Sequence, residues 1–356
     1  MEKEIGGNFP LSEEQIKGFP KNLPITGIEG FKYSIYTHSG RNALNYFLDN
    51  VYEGEKKVFL PAYTCDTCIN PFIEHDFDVS YYILNKDLTP NIDSINNKFQ
   101  KNSTGGIIYL QSYFGFDTLK NIRELINDKD TAFTFIEDIT HSWLSSFKKT
   151  NSEYFICSFR KWLEIPDGGA IFSNFDIKEK MYVFPENEVE VNDYKEASIK
   201  KQMWLSGNTN ITKNDFYPLF KKTASDFSNS KLYKMSNCSR LILENSNFDI
   251  IKEKRVNNCK YLIEHINNPN VIKIYNRVSD GEIPLYYPVY IKDDKRKDFQ
   301  NYLMSNDIYC PIHWPKSELV KNFNCEIYDN ILSLVCDQRY GLDDMKRMVD
   351  VINEYK

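Results

Sequence analysis

A lysine followed by an acidic, glycine-rich turn is the first place where this sequence could do covalent chemistry. Lys161 lies three residues after Ser158, and Asp167-Gly168-Gly169 follows it. An amine whose pKa is lowered in a pocket is a good nucleophile and can form a Schiff base. Ser158 could bind a phosphate oxygen at the same place. The simpler explanation is a solvated lysine in a loop, which describes most lysines.

Two acids and a histidine come where another apolar segment ends. Glu137, Asp138 and His141 follow Phe135-Ile136. In open α/β sheets, ligands bind at the carboxyl ends of the strands, so these side chains would face a ligand. An aspartate there can hold a heteroaromatic nitrogen in its protonated form, and the histidine could bond to a neighbouring ring oxygen. The simpler explanation is a helix N-cap aspartate.

Ser39-Gly40 precedes a helical pattern that begins at Arg41. The free backbone N–H groups and the dipole at such a helix start suit a phosphate. An ordinary helix cap has the same short sequence.

Cys65 and Cys68 form a Cys-x-x-Cys pair, which by itself suggests a redox or zinc site. The sequence offers no second pair of ligands at zinc-site spacing, so we predict no metal site. We expect the two thiols to pack near the end of a strand.

The composition is that of a globular protein without a broad affinity for nucleic acid. The 356 residues include 44 Lys+Arg and 50 Asp+Glu, which gives a net charge of −6. This balance disfavours a large nucleic-acid-binding surface. No apolar run reaches the ~18 residues of a membrane span, and the first residues lack the pattern of a signal peptide. Scattered cysteines suit reduced thiols, so we expect a cytoplasmic protein.

The elements that must position these residues are strands that alternate with helices. Short apolar segments predict strands at residues 57–60, 79–84, 106–114, 132–139, 154–159 and 170–173, with helices at 41–48 and 118–127 among them. Such alternation predicts an α/β domain with a mostly parallel sheet. A polar insertion at about 176–230 is expected to be helices and loops.

The C-terminal part has the pattern of a smaller unit. A long helix is predicted at 241–266, followed by strands at 285–291 and 331–336 and helices at 294–305 and 342–352. Leu342, Met345, Val349 and Ile352 share one helical face. We therefore predict a large α/β domain over residues 1–240 and a small α+β domain over residues 241–356.

Taken together and in order, these motifs resemble the DegT/DnrJ/EryC1/StrS sugar aminotransferases, a family of fold-type-I enzymes that use pyridoxal 5′-phosphate (PLP). The segments that carry the resemblance are Ser39-Gly40-Arg41-Asn42-Ala43-Leu44, Leu60-Pro61-Ala62-Tyr63-Thr64, Gln111-Ser112-Tyr113-Phe114-Gly115, Glu137-Asp138-x-x-His141, Lys161 with Asp167-Gly168-Gly169, Pro311-Ile312-His313 and Leu332-Ser333-Leu334. The resemblance implies a fold-type-I PLP-dependent transferase fold with a large and a small domain.

The resemblance also implies a role for individual residues. Lys161 would be the Schiff-base lysine and would move protons, and Asp138 would pair with the pyridinium nitrogen of PLP. His141 would contact the 3-oxygen of the ring. The phosphate would be held by Ser158 and by the backbone at two further positions, Gly40 and Arg41. The family also implies a homodimer whose active sites take groups from both subunits.

The sequence departs from the family at several of these positions. Ser158 and Lys161 are two residues closer together than is usual in sugar aminotransferases, a spacing found more widely in fold-type-I enzymes. Cys65 stands where the family has an aromatic that stacks on the cofactor ring, so either another side chain stacks, such as Tyr63 or His141, or the ring is held less firmly. The segment supplied by the neighbouring subunit is only faintly echoed, in Leu232-Tyr233-Lys234-Met235. We interpret the chain as a divergent member with its own substrate.

The function implied is amino transfer, with glutamate as donor, to a nucleotide-linked keto sugar, in the synthesis of surface polysaccharides or related amino sugars. Tyr113 and His313 are candidate substrate contacts, and His313 is equally consistent with a packed core histidine. Two alternatives stay open: a different PLP reaction, such as amino-acid transamination or a lyase reaction, because fold does not fix chemistry, and a non-catalytic protein with a PLP fold. A zinc or redox protein that uses Cys65 and Cys68 is a less favoured alternative.

Overall fold

The computed structural model describes residues 4–12, 30–101, 105–127, 132–177, 184–226, 231–320 and 325–356. The strands are β1 (Ile5–Gly6), β2 (Tyr33–Thr37), β3 (Lys57–Pro61), β4 (Asp78–Tyr82), β5 (Gly106–Gln111), β6 (Phe133–Asp138), β7 (Tyr154–Ser158), β8 (Gly169–Ser173), β9 (Val271–Lys273), β10 (Tyr287–Ile291), β11 (Ile308–Tyr309) and β12 (Ile331–Leu334). The α-helices are α1 (Gly40–Asn50), α2 (Asp66–Glu74), α3 (Ile92–Lys101), α4 (Arg123–Asn127), α5 (Glu188–Leu205), α6 (Lys213–Asp226), α7 (Asn237–Asn245), α8 (Phe248–His265), α9 (Arg296–Ser305), α10 (Ile327–Asn330) and α11 (Leu342–Glu354), and 3₁₀ turns lie at Phe159–Lys161 and Glu318–Val320.

The chain forms two compact units, each built from segments that are distant in sequence. The first unit holds the described residues of Met1–Gly7, Gly54–Ser152 and Phe248–Lys356, and the second holds those of Asn8–Glu53 and Glu153–Asn247. This grouping by contacts differs from the division at residues 240 and 241 drawn from the sequence pattern, which stays a prediction.

Four parallel strands form the centre of the first unit, in the order β6–β5–β3–β4. All six residues of β5 are buried, as expected for a parallel strand that is covered on both faces. The registers pair Pro61 with Tyr82 and Gln111 with Asp138, so the carboxyl ends of these strands share one edge. The predicted parallel sheet and the predicted position of Asp138 at a strand end are thereby confirmed.

The C-terminal part of the first unit contains an antiparallel sheet in the order β12–β10–β9. Helix α11 buries one face through Met345, Met348, Val349 and Ile352. Leu342, which the pattern placed on this face, is 54% exposed because it is the first residue of the helix.

The second unit contains three antiparallel strands in the order β2–β8–β7. The segments at 154–159 and 170–173 were expected in the same mostly parallel sheet, but they pair antiparallel with each other. The physical reason is the short connection between them, since a parallel pair needs a crossover of a dozen or more residues. Within the second unit, α5 and α6 share a small core of Tyr194, Ala197, Phe216 and Phe220.

Several predicted elements differ in their bounds. The helix predicted at 241–266 is two helices, α7 and α8. Ser246 ends α7 in an extended conformation, and its hydroxyl donates to the carbonyl of Ile242 at 2.7 Å, which is how serine competes with helix continuation. The helix predicted at 118–127 is confined to α4, and the sequence pattern did not reveal β2, α2 or α3. No helix among the described residues is long and apolar enough to cross a membrane.

Candidate functional site

The turn before α1 has the construction that the phosphate-site prediction requires. Ser39 has extended backbone angles, and its hydroxyl accepts a hydrogen bond from the backbone N–H of Asn42 at 3.1 Å, which caps the helix. Helix α1 begins at Gly40, so the N–H groups of Gly40 and Arg41 belong to its first turn. The N–H groups in the first turn of a helix are the ones that can stabilise an anion.

Gly40 is packed against Ser158, so the structure brings two of the predicted phosphate ligands together. A Cβ built on Gly40 would lie 3.2 Å from Cβ of Ser158 and 3.5 Å from the carbonyl oxygen of Cys157. The first distance is tighter than ordinary van der Waals contact, which explains why glycine suits this position. The turn and the end of β7 are therefore closely packed in the second unit.

Lys161 ends the 3₁₀ turn that follows Ser158. The turn is anchored by Phe159 and Trp162, which are both fully buried, while Lys161 is exposed. The backbone N–H of Phe159 donates to the carbonyl of Gly168 at 3.1 Å and ties this turn to the glycine pair. Ser158 is the extended N-cap residue of this turn and Lys161 is its last residue, so the two lie at opposite ends of one short turn.

At the carboxyl edge of the parallel sheet, Glu137 and Asp138 point to opposite faces, as neighbours on a strand do. Glu137 accepts hydrogen bonds from the backbone N–H of Thr150 at 2.8 Å and from its hydroxyl at 2.6 Å. These contacts use Glu137 to fix the following segment. Asp138 is therefore the member of the pair that is available for ligand chemistry.

Asp138 is a buried carboxylate surrounded by neutral donors. Its Oδ2 accepts from the hydroxyl of Tyr109 at 2.9 Å and from the thiol of Cys68 at 3.7 Å, and its Oδ1 accepts from the backbone N–H of Thr140 at 2.8 Å. Burial raises the pKa of this carboxyl above its ordinary value, and the hydrogen bonds oppose that shift only in part. A cationic group placed against Asp138 would stabilise its ionised form.

His141 lies on the segment that follows Asp138 and is packed by aromatic rings. Its Nδ1 accepts from the backbone N–H of Phe114 at 3.3 Å, so in the neutral ring Nε2 carries the proton. Trp314 stacks on the imidazole with a centroid distance of 5.5 Å and an interplanar angle of 24°. One face of the imidazole is therefore covered by Trp314, and the N–H at Nε2 can donate a hydrogen bond. This arrangement suits the predicted contact with a ring oxygen better than stacking on the cofactor ring.

The two cysteines lie at the start of α2, directly after β3, as expected. Cys65 occupies the N-cap position, and its sulfur accepts from the hydroxyl of Thr67 at 3.1 Å. Cys68, and not Cys65, contacts Asp138. Burial beside Asp138 raises the pKa of the Cys68 thiol, which keeps it protonated. Among the described residues, no group of three or more His, Cys, Asp or Glu side chains is arranged to hold a metal ion.

Three other candidates are packed residues of the first unit. Tyr63 is fully buried, with its ring 5.2 Å from that of Trp314, so it presents no accessible face for stacking. Tyr113 is also fully buried, and its hydroxyl donates to the carbonyl of Tyr63 at 2.5 Å. His313 has Nδ1 at 2.9 Å from the hydroxyl of Ser333. The substrate contacts assigned to Tyr113 and His313 stay predictions.

The segment that faintly echoes a partner-subunit motif lies beside β2 in the second unit. Thr37 and Lys234 form an antiparallel bridge, and the backbone N–H of His38 donates to the carbonyl of Tyr233 at 3.0 Å. Asn42 in α1 accepts from the backbone N–H of Tyr233 at 3.0 Å. The segment is therefore fixed next to the turn that carries Gly40.

The candidate residues fall into two groups, one in each unit. Gly40, Arg41, Ser158 and Lys161 belong to the second unit, whereas Asp138, His141 and Cys65 belong to the first. Sequence reasoning missed Tyr109 and Trp314 in the first unit and His38 in the second. Their contacts depend on strand register and on chain segments that are far apart in sequence, which no local pattern encodes.

Comparisons with known proteins establish the fold. No family model and no curated protein matches the chain. Among solved structures it is similar to Helicobacter pylori PseC, an aminotransferase involved in the biosynthesis of pseudoaminic acid, with a TM-score of 0.68, 15% identity and 98% coverage of both chains. It is also similar to Spr1654 from Streptococcus pneumoniae in its PLP form, with a TM-score of 0.67, 12% identity and 98% coverage of both chains.

A third similar structure is DesI, determined in the presence of its TDP-sugar product, with a TM-score of 0.66 and 13% identity over 92% of this chain and 82% of that one. The chain thus has the α/β fold of sugar aminotransferases such as these. The fold-type-I prediction and the resemblance to the DegT/DnrJ/EryC1/StrS enzymes are confirmed at the level of the fold.

Proposed function

We propose that this protein is a PLP-dependent aminotransferase that transfers an amino group from glutamate to a nucleotide-linked keto sugar. The observation that carries the proposal is the packing of Gly40 against Ser158, three residues before Lys161. This arrangement puts a helix start, a serine hydroxyl and a lysine amine within one small part of the second unit. The helix start and the serine hydroxyl could bind the phosphate of a phosphorylated carbonyl compound, and the lysine amine could form a Schiff base with its carbonyl group.

The first unit supports the proposal with the complementary group. Asp138 is buried at a strand end and accepts only from neutral donors in the contacts described above, and burial raises its pKa. A protonated ring nitrogen would supply the missing positive charge, and the carboxylate would in turn keep that nitrogen protonated. The residues present in each unit therefore fit a chemical group of PLP.

Each residue has a defined task in the proposed reaction. PLP, when bound, supplies an electron sink next to the reacting carbon. Lys161 binds the cofactor through its amine, and once released it takes a proton from the α-carbon of the amino donor and returns one to the carbon that accepts the amine. Asp138 holds the proton on the ring nitrogen. His141 donates from Nε2 to the ring oxygen, and the turn at Gly40 binds the phosphate.

The substrate class follows from similarity to the solved structures. PseC is an aminotransferase of pseudoaminic acid biosynthesis, and DesI was determined with its TDP-sugar product. For this chain we accordingly propose a nucleotide-linked keto sugar as acceptor and a place in amino-sugar synthesis for surface polysaccharides. We further propose a cytoplasmic homodimer with shared active sites. The sequence departs from the family pattern at Cys65 and at Leu232-Tyr233-Lys234-Met235, which favours a sugar substrate different from those of the similar enzymes.

The test is the visible absorbance of the purified protein with PLP, before and after addition of L-glutamate. We expect the wild type to show a band of lysine-bound cofactor that glutamate converts to the amine form, and Lys161→Ala to lack that band. Lys222→Ala is the matched control, because Lys222 is an exposed lysine of the same unit that pairs with Asp193 at 2.6 Å. Light scattering would measure the oligomeric state.

Each alternative has its own signature in this experiment. A band that glutamate leaves unchanged would indicate a different donor or a different PLP reaction. Turnover of 2-oxo acids but not of nucleotide-linked keto sugars, judged by product mass, would indicate an amino-acid transaminase. The absence of any band in the wild type would overturn the proposal and favour a non-catalytic protein.

A further inference from the structure

Behind the turn that carries Gly40, a buried histidine lies between two carboxylates. Nδ1 of His38 is 3.1 Å from Oδ2 of Asp167, and Nε2 is 3.0 Å from Oε2 of Glu190. His38 is 3% exposed, Asp167 0% and Glu190 2%. Neither the family resemblance nor the proposed reaction uses His38 or Glu190.

Asp167 connects this histidine to a further segment of the second unit. Its carboxylate accepts from the backbone N–H of Ser236 at 2.8 Å, from the hydroxyl of Ser236 at 2.5 Å and from the hydroxyl of Ser239. Glu190 belongs to α5, and Ser236 caps α7. His38 therefore joins the loop at Asp167 to α5 and, through Asp167, to α7.

The placement of His38 between two carboxyl groups favours its protonated form. A neutral imidazole has one N–H group, whereas both nitrogens of His38 face carboxylate oxygens, so only the imidazolium can donate to both. Burial by itself lowers the pKa of His38, but its interactions with the carboxylates of Asp167 and Glu190 outweigh it and hold the pKa above its ordinary value. The bridging contacts persist as long as the ring keeps both protons.

The histidine is coupled directly to the phosphate turn. The carbonyl of His38 accepts from the backbone N–H of Gly168 at 2.6 Å. A Cβ on Gly169 would collide with the backbone of Ser39 and Gly40. The loop at residues 167–169 thus lies directly against the turn, and the bridge from His38 to Asp167 holds the two together.

Other ionisable groups also face this cluster. Arg160 lies in the 3₁₀ turn with its guanidinium 5.4 Å from the ring centroid of Tyr194, and it interacts electrostatically with both Asp167 and Glu190. The ring of Tyr233 packs edge-on to His38 at 5.9 Å, and Cys238 of α7 lies near Asp167. Arg160 and the protonated His38 supply two positive charges beside the two carboxyl groups, and loss of the His38 proton would remove one of them next to the turn.

We propose that His38 is a positioning residue for the phosphate-binding turn, whose imidazolium fixes the loop at residues 167–169 against Ser39-Gly40 and whose deprotonation weakens binding of a phosphorylated cofactor. The inference rests on the proposed PLP site in the second unit. It adds that phosphate affinity falls as the pH rises through the titration of one residue that does not touch the cofactor.

The test compares the dissociation constants of PLP and of unphosphorylated pyridoxal across a range of pH. Both aldehydes react with the same lysine, so the ratio of the two constants isolates the phosphate contribution. We expect the wild-type preference for PLP to decline as pH rises through the titration of His38. His38→Gln should reduce the preference by about tenfold at low pH and remove the decline that follows the titration of His38, since a charge-assisted contact is lost. His265→Gln, at an exposed histidine of α8, is the matched control.

A second variant keeps the inference testable if His38→Gln misfolds. Glu190→Gln retains a side chain of the same length but removes one carboxylate, so the pH at which the preference for PLP declines should move downward. The same displacement should appear in the NMR titration of His38 in protein labelled at histidine.

The outcomes separate this inference from the proposed function. Wild-type protein that binds neither aldehyde overturns both. Wild-type protein that binds PLP while His38→Gln retains the full preference and pH dependence overturns the role of His38 alone. A His38 resonance that titrates at or below the ordinary histidine pKa also overturns it.

Discussion

The phenol of Tyr109 donates a hydrogen bond of 2.9 Å to Oδ2 of Asp138. Tyr109 lies on β5 and Asp138 on β6, and the parallel register pairs Tyr109 with Ile136, two residues before Asp138. Residues two apart on a strand share a face. The strand register therefore directs a donor at Oδ2 of Asp138, the oxygen that also accepts from the thiol of Cys68.

Asp138→Asn is expected to abolish most of the activity while leaving the fold intact. The amide cannot keep a ring nitrogen protonated, so we expect kcat to fall by at least about a hundredfold, the low end of what a positioned proton-transfer group contributes. Steady-state kinetics with glutamate and the spectrum of bound PLP would measure the effect. An Asp138→Asn enzyme with wild-type kcat would contradict the role assigned to Asp138.

Tyr109→Phe is expected to have a smaller effect of the same kind. Its hydrogen bond favours the ionised form of Asp138, so its removal raises the pKa of that carboxyl further. We expect a loss in kcat of at least about tenfold, because a hydrogen bond to a charged group is worth roughly 1.5–3 kcal/mol. Tyr82→Phe is the matched control, because Tyr82 is equally buried in the same sheet but donates to a backbone carbonyl, that of Tyr109, at 2.9 Å. Equal losses in both variants would mean that the effect is structural.

Gly40→Ala tests whether the close packing of Gly40 against Ser158 is needed for phosphate binding. The new Cβ would lie 3.2 Å from Cβ of Ser158, so one of the two segments must shift by a few tenths of an ångström. We expect the dissociation constant of PLP to rise by about tenfold and the free energy of unfolding to fall by about 1 kcal/mol. Gly341→Ala is the control, because nothing lies within 4 Å of its added Cβ. An unchanged PLP affinity would argue against phosphate binding at this turn.

The parallel strands and their ends could be predicted from the sequence, because each is a short apolar segment that a proline or polar residues terminate. Pro61 ends β3 and the acids end β6, so Asp138 could be placed at the sheet edge without knowing the order of the strands. The Ser158-to-Lys161 spacing was equally visible, since it is local.

The contacts around these residues could not be predicted, because they depend on register and on distant packing. Alternation along β6 indicates that Glu137 and Asp138 face opposite ways, but not which of them faces Thr150. The Cys-x-x-Cys spacing does not reveal that Cys68 rather than Cys65 contacts Asp138. Trp314 stacks on His141 although more than 170 residues separate them, and no sequence period reports such a contact.

Cys68 should react slowly with alkylating reagents, although it lies in the first turn of an exposed helix end. The thiolate is the reactive species, and burial together with the charge of Asp138 raises the pKa of this thiol. In Asp138→Asn we expect alkylation of Cys68 by iodoacetamide to accelerate by about tenfold, as the loss of about one pKa unit of interaction would give. Mass spectrometry of the peptide that contains both cysteines would measure it, with Cys65 as the internal reference. An equal acceleration at both cysteines would instead indicate local opening of α2.

The stability of the protein should fall as the pH rises through the titration of His38. Burial alone lowers the pKa of His38, but the hydrogen bonds to Asp167 and Glu190 hold it above the unfolded value of about 6.5. Between those two values the native state binds more protons than the unfolded state, so the free energy of unfolding decreases with pH, by about 1.4 kcal/mol for each unit of pKa difference. The contribution is fully present below the unfolded pKa and lost above the folded one. Urea unfolding across this window should show the decline in the wild type and in His265→Gln but not in His38→Gln, and a decline that survives in His38→Gln would assign it to other groups.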